Sequence, residues 1–522
     1  MELVRKNIHM SRQKARALWQ MTMDDDFNIP DSMQDVQQLV LHQGMVEIGE
    51  SKAEKDRVRL RGTLNFSVLY GEGGGVPVPC SVQGKLPFDE QIHMEGVQEG
   101  ENIQVKWSLE DLNVSIIHSR KLNIKALITF ELTAEELADE EMAVGVPEGQ
   151  EAETRFCQVS VAGLAAQKRD TCRVKDEVIL PMNQPNMGKI LWQETAVRGL
   201  DIRLGEGQVF LKGELQVFVL YLGEEEPAKT WWLSQNIPFS THVDCPGCQE
   251  QMIGHVDVSL LHGDVEAKPD YDGELRVLNV DAILDVTMRI YAEEHLSMLC
   301  DLYSPARELK LQSRPALCER LLVSNASRCR TMDRLPVTQR DTQILQICNA
   351  SGEVKVDEVT VTEQGLKVEG GVFVQVLYIT EDDQMPFCCL KGSLPFEHIL
   401  EAPGMGEAPV YYLQASLEQL HAAMVSGEEV EVKASILLNG LVLEPLELSH
   451  IESVEDEPLD MEKINNLPGM LIYVVQPGDT LWDIAKTYHT TIEQVRTLNE
   501  MSQQEVKAGQ RLLLMKQMGG FS

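Results

Sequence analysis

The chain has 522 residues, several times the ~100–200 residues of a typical domain, so it is expected to fold as several units. Hydrophobic residues make up 43% of the chain and charged residues 25%, a composition that excludes collagen-like, silk-like and wholly disordered proteins. The 46 basic residues against 82 acidic ones give a formal charge of −36, which repels phosphate backbones. The sequence therefore predicts no nucleic-acid partner.

Targeting and membrane segments are not recognisable in the sequence. The first twenty residues lack the continuous apolar stretch of a signal peptide, and no segment approaches the ~20 apolar residues that cross a bilayer. The eleven cysteines are scattered rather than regularly spaced, which is typical of proteins in a reducing compartment. These features predict a cytoplasmic protein with no transmembrane segment.

One sequence pattern occurs three times along the chain, in residues 62–70, 213–221 and 370–378. Each copy begins with glycine, ends in Val-Leu-Tyr, and is followed by a Pro-Phe pair whose phenylalanine lies eighteen residues after the tyrosine. The copies are offset by 151 and 157 residues, so the repeating unit is a domain rather than a solenoid repeat of ~20–50 residues. A five-residue insertion distinguishes the second copy. The predicted domains span residues 1–150, 151–305 and 306–451.

The residues inside each copy alternate with a period of two, which indicates β-strands. In the first copy the apolar positions of one face are Leu64, Phe66, Val68 and Tyr70. A second alternating run comprises Leu122, Ile124, Ala126, Ile128 and Phe130. The fold class predicted from this pattern is mainly β, with three tandem sandwich-like or barrel-like units of undetermined topology.

Two features that resemble functional motifs are better explained as turns. The glycine-rich residues 71–75 precede Val76 and Pro77 rather than a helix that would hold a phosphate, so a hairpin turn is favoured. Cys245 and Cys248 have the spacing of half a zinc site, but no second pair stands at ligand spacing. The sequence therefore predicts no metal and no cofactor.

Acidic stretches lie between the copies of the repeated pattern and before the last module. Residues 135–141 and the segment 452–470 before the last module are rich in Asp and Glu, as is typical of solvated linkers. Both stretches are predicted to be exposed connections without a packing role.

The C-terminal residues 471–517 form a separate β-α-α-β module. Thr480 with Asp483 forms a capping box, and either Thr490 with Glu493 or Thr491 with Gln494 forms a second one. The pattern of Ile492, Val495 and Leu498 predicts that these side chains face inward. Five basic and five acidic residues make this module neutral, so residues 1–472 carry the whole charge of −36.

This module resembles a LysM domain. The resemblance rests on a set of spaced residues: Tyr473, Val475, Gly478, Asp479, Thr480, Leu481, Trp482, Ile484, Ala485, Leu498, Asn499, Gly509 and Leu512. LysM domains bind N-acetylglucosamine polymers, chiefly peptidoglycan, in a shallow groove. The resemblance implies one groove wall of Gly478, Asp479 and Thr480 and a second wall of Gln503, Gln504, Glu505, Val506 and Lys507. Trp482 lies beside the apolar stripe, where half-buried packing and an exposed partner contact are both open.

Three long β-rich units followed by one LysM resemble the SPOCS-domain proteins of spore-forming clostridia. The resemblance rests on this architecture, on residues 27–31 and on the repeated strand that ends in Val-Leu-Tyr. It implies a morphogenetic protein made in the mother-cell cytoplasm and held at the forespore surface. The implied partner is the coat basement-layer ATPase, stage IV sporulation protein A, bound through the LysM. Self-association through the repeats is left open.

Three functions are therefore weighed. The favoured function is a non-enzymatic scaffold of spore coat assembly, because no export signal would bring the LysM to the cell wall. The alternative is a protein that binds peptidoglycan in the wall or the spore cortex. A hydrolase is least favoured, because no grouping of His with Asp, Glu or Cys recurs in the three copies.

Overall fold

The computed structural model describes residues 1–72, 78–226, 228–337, 343–382, 386–406, 408–459, 469–501, 503 and 505–515. Three six-stranded units precede a small module of two strands and two helices. The first unit contains β1 (Val4–Asn28), β2 (Val36–Glu54), β3 (Arg57–Glu72), β4 (Pro79–His93), β5 (Ile103–His118) and β6 (Lys121–Gly145). The second contains β7 (Glu153–Ile179), β8 (Met187–Gly205), β9 (Gln208–Gly223), β10 (Thr230–Asp244), β11 (Ile253–Pro269) and β12 (Leu275–Tyr303). The third contains β13 (Arg307–Pro336), β14 (Ile344–Thr362), β15 (Gly365–Thr380), β16 (Phe387–Glu401), β17 (Val410–Ser426) and β18 (Glu429–Pro458).

Each unit is a sandwich of two three-stranded antiparallel sheets. In the first unit the strand orders are β1-β6-β5 and β2-β3-β4, and the corresponding strands pair in the same way in the other two units. The predicted mainly-β fold with three tandem units is therefore confirmed, and the topology that the sequence left open is a sandwich with its longest strands on one sheet.

The apolar faces predicted from the alternation fill the space between the two sheets. Leu64, Phe66, Val68 and Tyr70 lie in one core cluster with the residues of the second run, from Leu122 to Phe130. Each repeated phenylalanine lies directly across from a repeated glycine, as Phe88 does from Gly62. A Cβ at Gly62 would approach the Phe88 ring to 2.6 Å, so the ring occupies the space that a side chain would need. This cross-strand pair explains the constant spacing in the three copies.

The inserted residues of the second copy form the connection between β11 and β12. Residues 270–274 link these strands, whereas a short turn links β5 to β6 in the first unit. Residues 71 and 72 of the glycine-rich segment lie at the end of β3, and residues 73–77 of the predicted hairpin turn lie outside the described residues.

The acidic stretches belong to strands rather than to the linkers that the sequence predicted, although many of their side chains are exposed as expected. Residues 135–141 lie within β6, paired with β1, and residues 452–458 continue β18. The Glu135 side chain is only 9% exposed and accepts a bond from Arg289 of the second unit at 2.6 Å. The linker prediction was wrong for these residues because composition alone reveals neither the strand pairing nor the inter-unit ion pair of Glu135. Residues 460–468 of the predicted linker lie outside the described part of the chain.

The three units meet through equivalent positions of their sequences. Leu69, Leu220 and Leu377, separated by the repeat offsets of 151 and 157, lie in one buried cluster. The same offsets relate three polar residues that bond to one another: Lys106, Asp257 and Gln414. The Lys106 ammonium and the Gln414 amide donate to the Asp257 carboxylate at 2.7 and 2.9 Å. The units therefore pack as one body around a common junction.

The long strands also bring together two cysteines whose spacing in the sequence did not indicate a disulfide. Cys157 of β7 and Cys300 of β12 form a disulfide with a Cα–Cα distance of 5.9 Å. Their 143-residue separation gave no signal of this pairing, because they meet only where a bulge of β12 at Cys300 lies two residues beyond Met298, the strand partner of Cys157.

His255 predicts a pH dependence of stability. It lies at the contact of the second and third units, 5% exposed, 5.6 Å from the Tyr412 ring, and burial lowers its pKa to about 4. Below pH ~6.5, the ordinary pKa of histidine, this imidazole is protonated in the unfolded chain but stays neutral in the folded chain. The free energy of unfolding therefore falls as the pH drops from 6.5 towards 4. We expect His255→Gln to reduce this slope by up to about 1.4 kcal/mol per pH unit in denaturant unfolding measured across this range. Equal slopes for both proteins would contradict the assignment.

Candidate functional site

The C-terminal module has the predicted β-α-α-β order. Its elements are β19 (Met470–Val474), α1 (Leu481–Thr487), α2 (Ile492–Leu498) and β20 (Arg511–Met515), with β19 and β20 antiparallel. In the described residues no helix is long and apolar enough to cross a membrane.

The helix starts follow from the capping residues. The Thr480 hydroxyl accepts a bond from the Asp483 amide at 3.2 Å, and Thr491, rather than Thr490, caps α2 by accepting from the Gln494 amide at 3.1 Å. Gly478 has a φ of 97°, which a left-handed turn requires and which other residues rarely adopt.

The first predicted groove wall lies in the turn between β19 and α1. Gly478 and Thr480 are exposed, and Asp479 is half-buried. The Asp479 carboxylate accepts from the Tyr473 hydroxyl at 2.6 Å and from the Gln476 amide at 2.8 Å, and these bonds lower its pKa. Asp479 thus fixes the shape of the turn, while its neighbours present the accessible surface.

The second predicted wall lies in the segment before β20. Gln503, Glu505 and Lys507 are exposed, whereas Val506 packs against the core of the module. This segment adjoins the first wall, because the Gly509 amide donates to the Val475 carbonyl at 2.8 Å. Gln504 lies outside the described residues. Of the described residues of this wall, Gln503, Glu505 and Lys507 are therefore accessible, and Val506 is a packing residue.

Trp482 does not present an exposed contact surface in this arrangement. It is 8% exposed and lies edge-on to Tyr303 of β12, with ring centroids 5.0 Å apart. Its indole N–H donates to the Asp301 carboxylate at 2.8 Å. Of the two possibilities left open by the sequence, the structure shows packing, and the packing partner belongs to the second unit.

Two further contacts hold the module on the second unit. The Lys486 ammonium lies 2.6 Å from the other Asp301 oxygen, and the Tyr303 hydroxyl donates to the Thr490 carbonyl at 2.9 Å. Asp301, Tyr303 and Lys486 were not recognisable as contact residues from the sequence. No pattern identified them, because Asp301 and Lys486 are 185 residues apart and meet only through the tertiary fold.

One apolar face of the module is not covered by any of the described residues. Alternate residues of β19 point away from the module core and are exposed, with Ile472 at 63%. The other exposed apolar side chains near this sheet are Met470, Val474, Leu498 and Met515. The prediction that Leu498 faces inward was wrong, since Val495 alone among the residues of α2 is fully buried.

The cysteine pair of the second unit occupies a tight turn. Cys245 and Cys248 are both buried, and the Cys248 amide donates to the Cys245 carbonyl at 3.0 Å. Gly247 between them has a φ of 91°, close to the values at the equivalent Gly96 and Gly404. In the part of the chain that the structure describes, no group of three or more His, Cys, Asp or Glu side chains is arranged to hold a metal ion. The absence of zinc stays a prediction.

Comparison with known families matches both parts of the chain. The family model described as SipL, SPOCS domain matches residues 35–117, 186–268 and 343–425, and the LysM domain model matches residues 473–514. The three SPOCS matches cover the second to fifth strands of each unit, and the matches together cover more than half of the chain. Searches of curated proteins and of solved structures gave no match.

Proposed function

Because the chain belongs to the family of SPOCS-domain proteins with a C-terminal LysM domain, we propose that it is a non-enzymatic scaffold of endospore coat assembly. The three SPOCS units form the body of the scaffold, and the LysM domain binds the coat basement-layer ATPase of the stage IV sporulation protein A type. The protein acts in the mother-cell cytoplasm, at the forespore surface.

The arrangement of the LysM domain supports this proposal best. Its α1 side is fastened to the second unit at Asp301, while Thr480, Gln503 and Lys507 stay exposed. A domain that is anchored on the body while its groove residues stay accessible suits an adaptor. The neutral domain on a body of charge −36 also favours a contact made by shape and apolar surface rather than by charge.

A second candidate function is binding of peptidoglycan or another N-acetylglucosamine polymer. The exposed groove residues favour it, because LysM domains bind such glycans and both groove walls are accessible here. The two candidates differ in the ligand of the same domain, so one set of variants distinguishes them.

We expect the variant that lacks residues 471–522 to lose both the binding to the purified coat ATPase and the localisation to the forespore that we propose for the full-length chain. The measurement is a pull-down with purified proteins, together with fluorescence microscopy of sporulating cells. Localisation that survives the deletion would overturn the anchoring role.

For the glycan function, the double variant Gln503→Ala/Lys507→Ala is compared with Lys212→Ala, which changes an exposed lysine of β9. Retention of the wild-type chain on insoluble peptidoglycan, lost in the double variant and kept in Lys212→Ala, would establish glycan binding. No retention of any variant, with ATPase binding intact, would leave the scaffold function as the role of the LysM.

A further inference from the structure

The LysM domain is held by a pair of residues that only the second SPOCS unit offers. Asp301 bonds to both the Trp482 indole and the Lys486 ammonium, and Tyr303 contacts Trp482 and the Thr490 carbonyl. At the offsets that relate Ala126, Ala282 and Ala434, the first unit has Gly145 and Pro147 in place of Asp301 and Tyr303.

The third unit likewise has no matching pair, since Ser453 and Glu455 stand at these positions. Neither unit therefore provides a carboxylate and an aromatic ring in this arrangement. The docking of the LysM is specific to the end of β12, rather than a property shared by all three repeats.

The docked arrangement hides one side of the LysM and leaves another open. Trp482 and Tyr303 bury each other, and the Asp301 carboxylate satisfies the indole N–H that a partner would otherwise bond. The groove residues Thr480, Gln503 and Lys507 remain exposed. Large aromatic side chains such as Trp commonly supply much of the binding energy at protein interfaces.

We propose that Asp301 and Tyr303 form an intramolecular docking site that keeps the LysM closed on the second unit, and that a protein partner which uses Trp482 must displace this contact. The second half of this inference rests on the proposed function, in which the LysM binds a protein. The docking site thereby controls access to one side of the domain without affecting the groove.

The size of the effect follows from the populations of the two arrangements. If the LysM is docked in ~90–99% of the molecules, a partner that binds only the undocked arrangement has an apparent affinity reduced ~10–100-fold. Removing the docking site should restore that affinity, because the partner no longer competes with Asp301 and Tyr303.

The first test measures the accessibility of Trp482 without any partner. Hydroxyl-radical footprinting with mass spectrometry is applied to the full-length chain and to Asp301→Ala/Tyr303→Ala. Half-exposed Trp19 and buried Trp192 serve as internal references. We expect Trp482 to be oxidised at a rate close to that of Trp192 in the wild type and several-fold faster in the variant. Equal rates in the two proteins would overturn the docking site.

A milder substitution at Asp301 distinguishes loss of the docking contact from a general loss of folding. Asp301→Asn keeps an acceptor for the Trp482 indole but removes the charge that pairs with Lys486. It should give an intermediate oxidation rate. Ser453→Ala, the change at the equivalent position of the third unit, should leave the rate at the wild-type value.

The second test measures affinity for the purified coat ATPase. We expect Asp301→Ala/Tyr303→Ala to bind at least about tenfold more tightly than the wild type. Equal or weaker binding by the variant would overturn the control of access while leaving the scaffold function intact. Absence of binding by wild type and variant alike would count against both, and the footprinting result would still decide whether the docking site exists.

Discussion

Arg289→Ala is expected to lower the free energy of unfolding by about 3–5 kcal/mol. The Arg289 and Glu135 side chains are only 6% and 9% exposed, and their ion pair joins the second unit to the first. Arg289 also donates to Gln104 of the first unit and lies 4.7 Å from the Tyr412 ring of the third. Removing the guanidinium therefore leaves the Glu135 carboxylate buried without its cation, which is the costly way to break such a pair.

Denaturant unfolding of the full-length chain would measure this loss. The matched control is Arg173→Ala, which breaks a pair with Asp281 in which the arginine is 56% exposed. An exposed pair of this kind is expected to contribute at most about 1 kcal/mol. Similar losses for Arg289→Ala and Arg173→Ala would show that the buried pair does not hold the units together.

A double variant tests the physical reason. In Arg289→Ala/Glu135→Ala the uncompensated carboxylate is gone, so the protein should be more stable than Arg289→Ala alone. If the double variant instead loses the sum of the two single losses, the cost arises from lost packing rather than from a buried charge.

Features that depend on local sequence were predictable. The alternation of Leu64 with Phe66 identified the buried face of β3, and Thr480 identified the start of α1, because strand period and helix caps are set by residues close together in the chain. The repeated Gly62 and Phe88 signalled a fixed spacing, but their meaning became clear only from the register of β3 and β4.

Features that depend on contacts between units could not be predicted in the same way. The stretch that contains Glu135 has the composition of a solvated linker, and only the position of Arg289 shows that its charge is buried and paired. Likewise, the helical pattern placed Trp482 at the edge of an apolar stripe, where both burial and exposure fit the periodicity. Its burial is decided by Tyr303, which lies 179 positions earlier in the sequence.

Trp482→Ala is expected to destabilise the LysM domain by about 3–5 kcal/mol, enough to unfold a domain of this size. The indole belongs to the core cluster that contains Val475, Ile484 and Leu512, so its removal opens a cavity in the domain as well as at the docking site. Hydrogen exchange of β19 and β20 would report this loss, while amides in β3 and β9 should keep their protection, because the SPOCS cores do not include Trp482.

Trp482→Phe provides the matched control. The phenyl ring retains most of the apolar contact with Tyr303 but cannot donate to Asp301, and a bond to a charged acceptor contributes about 1.5–3 kcal/mol. We therefore expect Trp482→Phe to leave the domain folded but to weaken its docking, so that exchange increases in α1 more than in β20. Full unfolding of Trp482→Phe would show that the hydrogen bond to Asp301 stabilises the domain itself. A folded Trp482→Ala protein with unchanged exchange throughout residues 470–515 would contradict the burial of this side chain, because no cavity would then have been created.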